Sequence, residues 1–205
     1  MSGVAEIISA TLTPTKQEVL QQWVPGFKEI GAFRLVDPAG EVGIDFVLGT
    51  DGEDRPIQLP VTYRSDELPS GVVGTMEHSV LGTRYVAKAT ADPVAIGEIV
   101  RVILAGDTEA ERSDGKAQAL HIQGSGQTPT TEITDVVIED VTEESVRANA
   151  KVNGVGRSFE LRLPRRLLPV KHLRVSRMPS ARNIIGVRPD SEEQLVVAEL
   201  IWRDL

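Results

Sequence analysis

With 205 residues, 30 acidic against 22 basic side chains, a net charge of −8 and no cysteine, the chain is long enough for one large domain or two small ones without metal or disulfide support. The lack of cysteine excludes disulfides, thiolate zinc sites, iron–sulfur clusters and cysteine nucleophiles, and the acidic balance opposes general nucleic-acid binding, which needs clustered surplus cations. The opening Met1-Ser2-Gly3-Val4-Ala5-Glu6 has no basic stretch and no apolar run approaches the roughly 20 residues of a membrane span, so a cytoplasmic protein without membrane contact is expected.

Ala5 to Leu12 reads as a strand, and Thr13-Pro14-Thr15 then signals a helix. Pro14 suits the first helical position, Thr13 or Thr15 can accept from the free N–H groups, and Thr15 with Glu18 has capping-box spacing. Val19, Leu20 and Trp23 form one apolar stripe, which makes Trp23 an expected core anchor, and Pro25-Gly26 stops the helix. Strands are predicted at Phe33 to Val36, Val42 to Leu48, Ile57 to Tyr63 and across Val72 to Val86, separated by Asp37-Pro38-Ala39-Gly40, Asp51-Gly52-Glu53-Asp54 and Pro69-Ser70-Gly71. Asp92 as N-cap and Pro93 at the first helical position open a second helix, which carries Val94, Ile99, Val102 and Ile103 and ends at Gly106.

Asp107 to Lys116 and Gly124 to Thr131 read as loops. Val146, Ala148, Ala150 and Val152 alternate with polar residues, Asn153-Gly154 is a strong hairpin signal, and Phe159, Leu161 and Leu163 lie on the returning strand. Leu195 to Trp202 reads as a buried terminal strand, although periodicity also admits a short helix. The expected class is α+β: an antiparallel sheet with a helix over residues 1–106, then a β-rich region over 107–205 that packs either separately or as one globule with the first.

Glu77, His78 and Arg84 combine an acid, an imidazole and a guanidinium suited to a sugar hydroxyl or phosphate. In a regular strand, however, consecutive Glu77 and His78 point to opposite faces and cannot grip one ligand together. Arg34, Tyr63 and Arg64 sit at strand ends and are compatible with a shallow binding face. Between Leu161 and Pro189 the cations Arg162, Arg165, Arg166, Lys171, Arg174, Arg177, Arg182 and Arg188 occur without an acid. That stretch either receives an anion, with Arg165, Arg166 and Arg174 as candidates, or is a solvated face that complements acidic neighbours. Gly124-Ser125-Gly126-Gln127-Thr128-Pro129 begins like a phosphate loop but lacks its strand-to-helix setting, and the sequence contains no Walker A, H-E-x-x-H or G-x-S-x-G pattern. No cofactor or metal is expected.

Five blocks in one order carry a family resemblance: Thr11-Leu12-Thr13-Pro14-Thr15-Lys16; Gly31-Ala32-Phe33-Arg34-Leu35-Val36-Asp37-Pro38-Ala39-Gly40-Glu41-Val42-Gly43-Ile44; Leu59-Pro60-Val61-Thr62-Tyr63-Arg64; Gly74 through Val86; and Asp92-Pro93-Val94. Together they resemble the N-terminal cap of bacterial maltokinases and related aminosugar kinases, over roughly residues 5 to 100. The resemblance implies a helix wrapped by a curved antiparallel sheet of cystatin-like kind. In those kinases the cap precedes an intermediate β region, to which the second half of this chain would correspond, and a catalytic lobe, before which this chain ends. Kinase-fold phosphoryl transfer also needs an H-x-D setting and a positioned Lys. The three histidines stand in His78-Ser79-Val80, His121-Ile122-Gln123 and His172-Leu173-Arg174, and Phe159-Glu160-Leu161-Arg162 offers Arg where a Lys is needed.

The leading expectation is therefore a non-catalytic cap-like binding or regulatory protein, not an enzyme, linked to α-glucan, maltose or trehalose metabolism and partnered by a sugar kinase or another α-glucan enzyme. Alternatives are a glucan- or sugar-phosphate-active enzyme or fragment, such as one of glucan-branching type, and an anion-binding module using residues 162–188. Oligomeric state is left open.

Overall fold

The computed structural model describes residues 3–172 and 181–204. The first half supplies β1 (Val4–Ala5), β2 (Leu12–Thr13), α1 (Lys16–Trp23), β3 (Lys28–Val36), β4 (Gly43–Thr50), β5 (Pro56–Arg64), β6 (Val72–His78), β7 (Gly82–Lys88) and α2 (Pro93–Ala105). The second supplies β8 (Glu111–Arg112), β9 (His121–Gly124), β10 (Ile133–Val141), β11 (Ser145–Val152), β12 (Val155–Arg162), β13 (Asn183–Val187) and β14 (Gln194–Trp202). Two antiparallel sheets of six strands result, ordered β2-β6-β7-β5-β4-β3 and β10-β11-β12-β14-β13-β9, while β1 pairs in parallel with β8. The class is α+β.

The capping box at α1 forms as its spacing predicts: the Thr15 hydroxyl accepts from Glu18 N at 3.3 Å, and the Glu18 carboxylate accepts from Thr15 N at 2.7 Å. Pro14 does not occupy the first helical position. It precedes the cap, after a cis Thr13–Pro14 bond. Ala5 to Leu12 is likewise not one strand, because its ends join different partners, β1 to β8 and β2 to β6, and the residues between pair with neither sheet. Val19 and Leu20 of α1 pack on Val47, Leu59, Val61, Met76 and Val86, one face of the first sheet.

Strand alternation puts Ile44, Phe46 and Leu48 on the opposite face. There they join Phe33, Leu35, the buried side of α2 (Ile96, Ile99, Val100, Ile103) and Val146, Phe159, Leu161, Ile184 and Val197 of the second sheet in one core. Phe33 and Phe46 stack with ring centroids 4.6 Å apart. α2 begins and ends on its sequence signals. Asp92 accepts from Val94 N at 3.0 Å, and Gly106 closes the helix in the left-handed conformation at φ 67°.

Fully buried Gln58 ties the sheets together. Its side-chain amide donates to Pro164 O and Val197 O, each at 2.8 Å. Trp23 lies on the same seam and packs against the α1-side core from its edge rather than within it. It is half-buried, with the Arg165 guanidinium 5.1 Å and Lys88 Nζ 5.5 Å from its ring centre, and Glu143 pairs with both cations. In the second half, the Asn153-Gly154 turn has positive φ at both residues, as a tight hairpin requires, and Leu195 to Trp202 is strand. The segments read as loops are partly strand, since β8 lies within 107–116 and Gly124 closes β9.

Candidate functional site

Register assembles a cleft on the α1 side of the first sheet. Arg34 on β3 is opposite Asp45 on β4, which is opposite Val61 on β5, and the next row on that face aligns Val36, Gly43 and Tyr63. On the other wing Met76 faces Arg84, and His78 faces both Leu12 and Gly82. With eight residues, α1 is only about 12 Å long, so it leaves this part of the face uncovered. Residues 4–8 and Ala10 form the far side, and the half-open cleft measures about 660 Å³.

Charge burial dominates the floor. Asp45 is 1% exposed and meets Lys16 Nζ at 2.8 Å and Arg34 Nη2 at 3.1 Å, with Arg34 Nε on its other oxygen. Burial alone raises a carboxyl pKa, but the Lys16 and Arg34 charges outweigh it and hold Asp45 below the usual carboxylate range. Burial and then the Asp45 charge push the Tyr63 phenol well above its ordinary value, so it remains a neutral donor. Lys16 Nζ also lies 4.4 Å from the Tyr63 ring centre. A Cβ at Gly43 would sit 3.4 Å from the same ring, so glycine there keeps the phenol's bed open.

His78 Nδ1 accepts from Val80 N at 3.2 Å and Leu81 N at 3.1 Å, which places its proton on Nε2. Arg84 Nη2 donates to Leu81 O at 2.7 Å. Two buried polar atoms on the lining residues make no hydrogen bond among the described residues: Tyr63 Oη and Arg84 Nε. Asp37 also borders the cleft, but its carboxylate accepts from the backbone N–H groups of Ala39, Glu41 and Val42, each at 3.0 Å, and so builds the turn between β3 and β4. Glu6 and Glu41 are exposed at the mouth.

Of the residues singled out from sequence, Arg34, His78 and Arg84 meet in this cleft. Glu77 turns to the other face, as alternation requires, and accepts from the Thr83 hydroxyl at 2.7 Å. Arg64 also faces away and makes a forked contact with Asp92, the α2 N-cap, at 2.8 and 2.9 Å. Arg165 pairs with Glu143 on the seam, exposed Arg166 forms a backbone bridge to Ile57, and Arg174 lies outside the described residues. Elsewhere in the basic stretch Arg162 meets Glu160 at 2.7 Å and Lys171 meets Glu193 at 2.6 Å, which complements acids of the same molecule. Sequence reasoning missed Lys16 and Asp45. The signal was Asp45 itself, a lone charge within the apolar run Ile44 to Leu48.

Two other motifs resolve into structural roles. In the 124–126 segment Gly126 N donates to Ile103 O at 2.8 Å, at the carbonyl end of α2 and so at the wrong helix pole for phosphate, while Gly124 N donates to Asp107 O and Ser125 N to Asn183 O. A Cβ at Gly126 would come within 2.0 Å of Leu104 O. On the second sheet, His121 Nδ1 lies 2.7 Å from Glu109, but Ser125 is four residues along from His121, about 13 Å in extended chain, and its hydroxyl is taken by Ala181 O and Asn183 N. They form no triad. Among the described residues no group of three or more His, Asp or Glu is placed to hold a metal ion, and no helix is long and apolar enough to cross a membrane.

Comparison with known proteins adds one finding. Residues 16–92 match the model of the maltokinase N-terminal cap domain, a span that runs from the first residue of α1 to the N-cap of α2 and contains Lys16, Arg34, Asp45, Tyr63, His78 and Arg84. No curated protein and no solved structure shows significant similarity to the chain.

Proposed function

We propose that this chain, which carries a maltokinase cap-like domain over residues 16–92, is a non-catalytic binding or regulatory protein that works in the cytoplasm beside an enzyme of α-glucan or maltose metabolism. One observation carries the reading: the family match covers the whole floor of the cleft, while the sequence contains no H-x-D for phosphoryl transfer. A helix seated on a six-stranded antiparallel sheet supports the cystatin-like view of the cap. A partner has a physical foothold at β10, the edge strand of the second sheet, where Val137 is 59% exposed and strand addition is available.

The reading is tested by titrating the full chain into a maltokinase-type enzyme in a calorimeter, with a pull-down in parallel, and by incubating the chain alone with ATP and maltose. A saturable complex and no ADP release are expected. ATP turnover by the chain alone refutes the non-catalytic part, and absence of a complex with every α-glucan enzyme tried refutes the partnership.

A further inference from the structure

We propose that the cleft between α1, the first sheet and the N-terminal segment binds a small organic anion, a carboxylate or phosphate monoester, through Arg84, Tyr63 and Arg34. The inference begins with hydrogen-bond accounting. Buried polar atoms are nearly always paired, and an unpaired one costs free energy. Tyr63 Oη and Arg84 Nε are both buried, both belong to cleft-lining residues, and both lack an acceptor. His78 adds a third donor through Nε2, because its other nitrogen is engaged by the backbone.

The floor has few acceptors to spare, chiefly the Tyr63 hydroxyl oxygen. Asp45 is its free-standing carboxylate, and Lys16 and Arg34 already occupy it. A neutral sugar must donate from each hydroxyl as well as accept, and beyond the Tyr63 oxygen this floor offers its donors little. A carboxylate or phosphate brings acceptors alone and neutralises the charge of Arg84, for which no ion pair is made among the described residues. The mouth acids Glu6 and Glu41 are exposed and weakened by solvent, whereas the donors on the floor are sheltered. Leu12, Met76 and Leu81 give the ligand an apolar wall, and about 660 Å³ is within the range of small-molecule sites.

The test is independent of any partner. The full chain is titrated at constant ionic strength with glucose 6-phosphate, citrate and inorganic phosphate, and with glucose as the neutral counterpart. Saturable binding of at least one of the three anions and a raised Tm are expected, with no binding of glucose. The inorganic phosphate arm shows whether the anion alone suffices or an ester body is needed. Arg84→Gln is expected to weaken binding at least tenfold, and Tyr63→Phe several-fold without lowering the Tm of the free protein, since it removes only an unpaired hydroxyl. Exposed Arg188→Gln serves as control and binds as the parent does. The inference is overturned if none of the anions binds by 10 mM, if glucose binds as tightly as its phosphate, or if both cleft variants bind like the parent. None of these outcomes bears on complex formation with an α-glucan enzyme, so the two proposals fail separately.

Discussion

Replacing Asp45 with Asn keeps the shape of the side chain and removes the charge that two cations share. Asp45 is 1% exposed, whereas the side chains of Lys16 and Arg34 retain 29% and 18%. Breaking a buried ion pair from one side costs about 3–5 kcal/mol, because the remaining charge is left uncompensated. The partial solvent access of both cations places Asp45→Asn at the lower end, about 3 kcal/mol. For a chain of this length that lowers Tm by roughly 6–12 °C. Chemical unfolding in urea at pH 7 and calorimetry measure the loss. Acidification gives a second reading. Since the folded-state pKa of Asp45 is depressed, its contribution is complete above the unfolded value of about 4 and disappears as pH falls through the folded value. Asp45→Asn therefore flattens the acid limb of the stability profile. It also leaves both cations free for a ligand, so added citrate stabilises the variant more than the parent. A loss below about 1 kcal/mol, with an unchanged acid limb, refutes the electrostatic account of the floor.

Gln58→Leu strips Pro164 O and Val197 O of their donor, at about 1–3 kcal/mol for each carbonyl left dry, and hydrogen exchange should rise in β5 and β14 together; a loss under about 0.5 kcal/mol means the seam is held otherwise. Asp107 is 8% exposed and held at about 2: burial raises its pKa, but hydrogen bonds, among them those from Arg101 at 2.8 Å and the Thr108 N–H, overcome that effect. Its stabilisation, about 2 kcal/mol, is present above pH 4 and lost toward pH 2, so Asp107→Asn should remove that slope in urea titrations between pH 5 and 2.5; an unchanged slope contradicts the assignment.

Elements with local punctuation were readable from the chain. The Thr15/Glu18 box, the Asp92-Pro93 start, the Gly106 stop and the Asn153-Gly154 turn each specify their own geometry within a few residues. β9, β10 and β13 escaped because their pairing is decided by distant strands. In β10, Thr134, Asp135, Glu139 and Asp140 interrupt the apolar pattern of an edge strand whose register also slips twice against β11. The edge position of Trp23 escaped for a related reason: the helical stripe is local, but the second half of the chain brings Arg165 and Glu143 to its flank. The candidate site was half legible. Strand parity correctly separates Glu77 from His78, but no rule of sequence says that Arg34 and Arg84, fifty positions apart, look into one cleft.

The family-matched segment stops at Asp92, one residue before α2 begins. Phe33, Leu35, Ile44, Phe46 and Leu48 therefore point out of that segment toward cover that only later residues supply. A fragment cut to residues 16–92 would present a row of bare aromatic and aliphatic side chains to water and self-associate. The matched segment is thus a half-finished hull that floats only once the remaining chain has planked its other side.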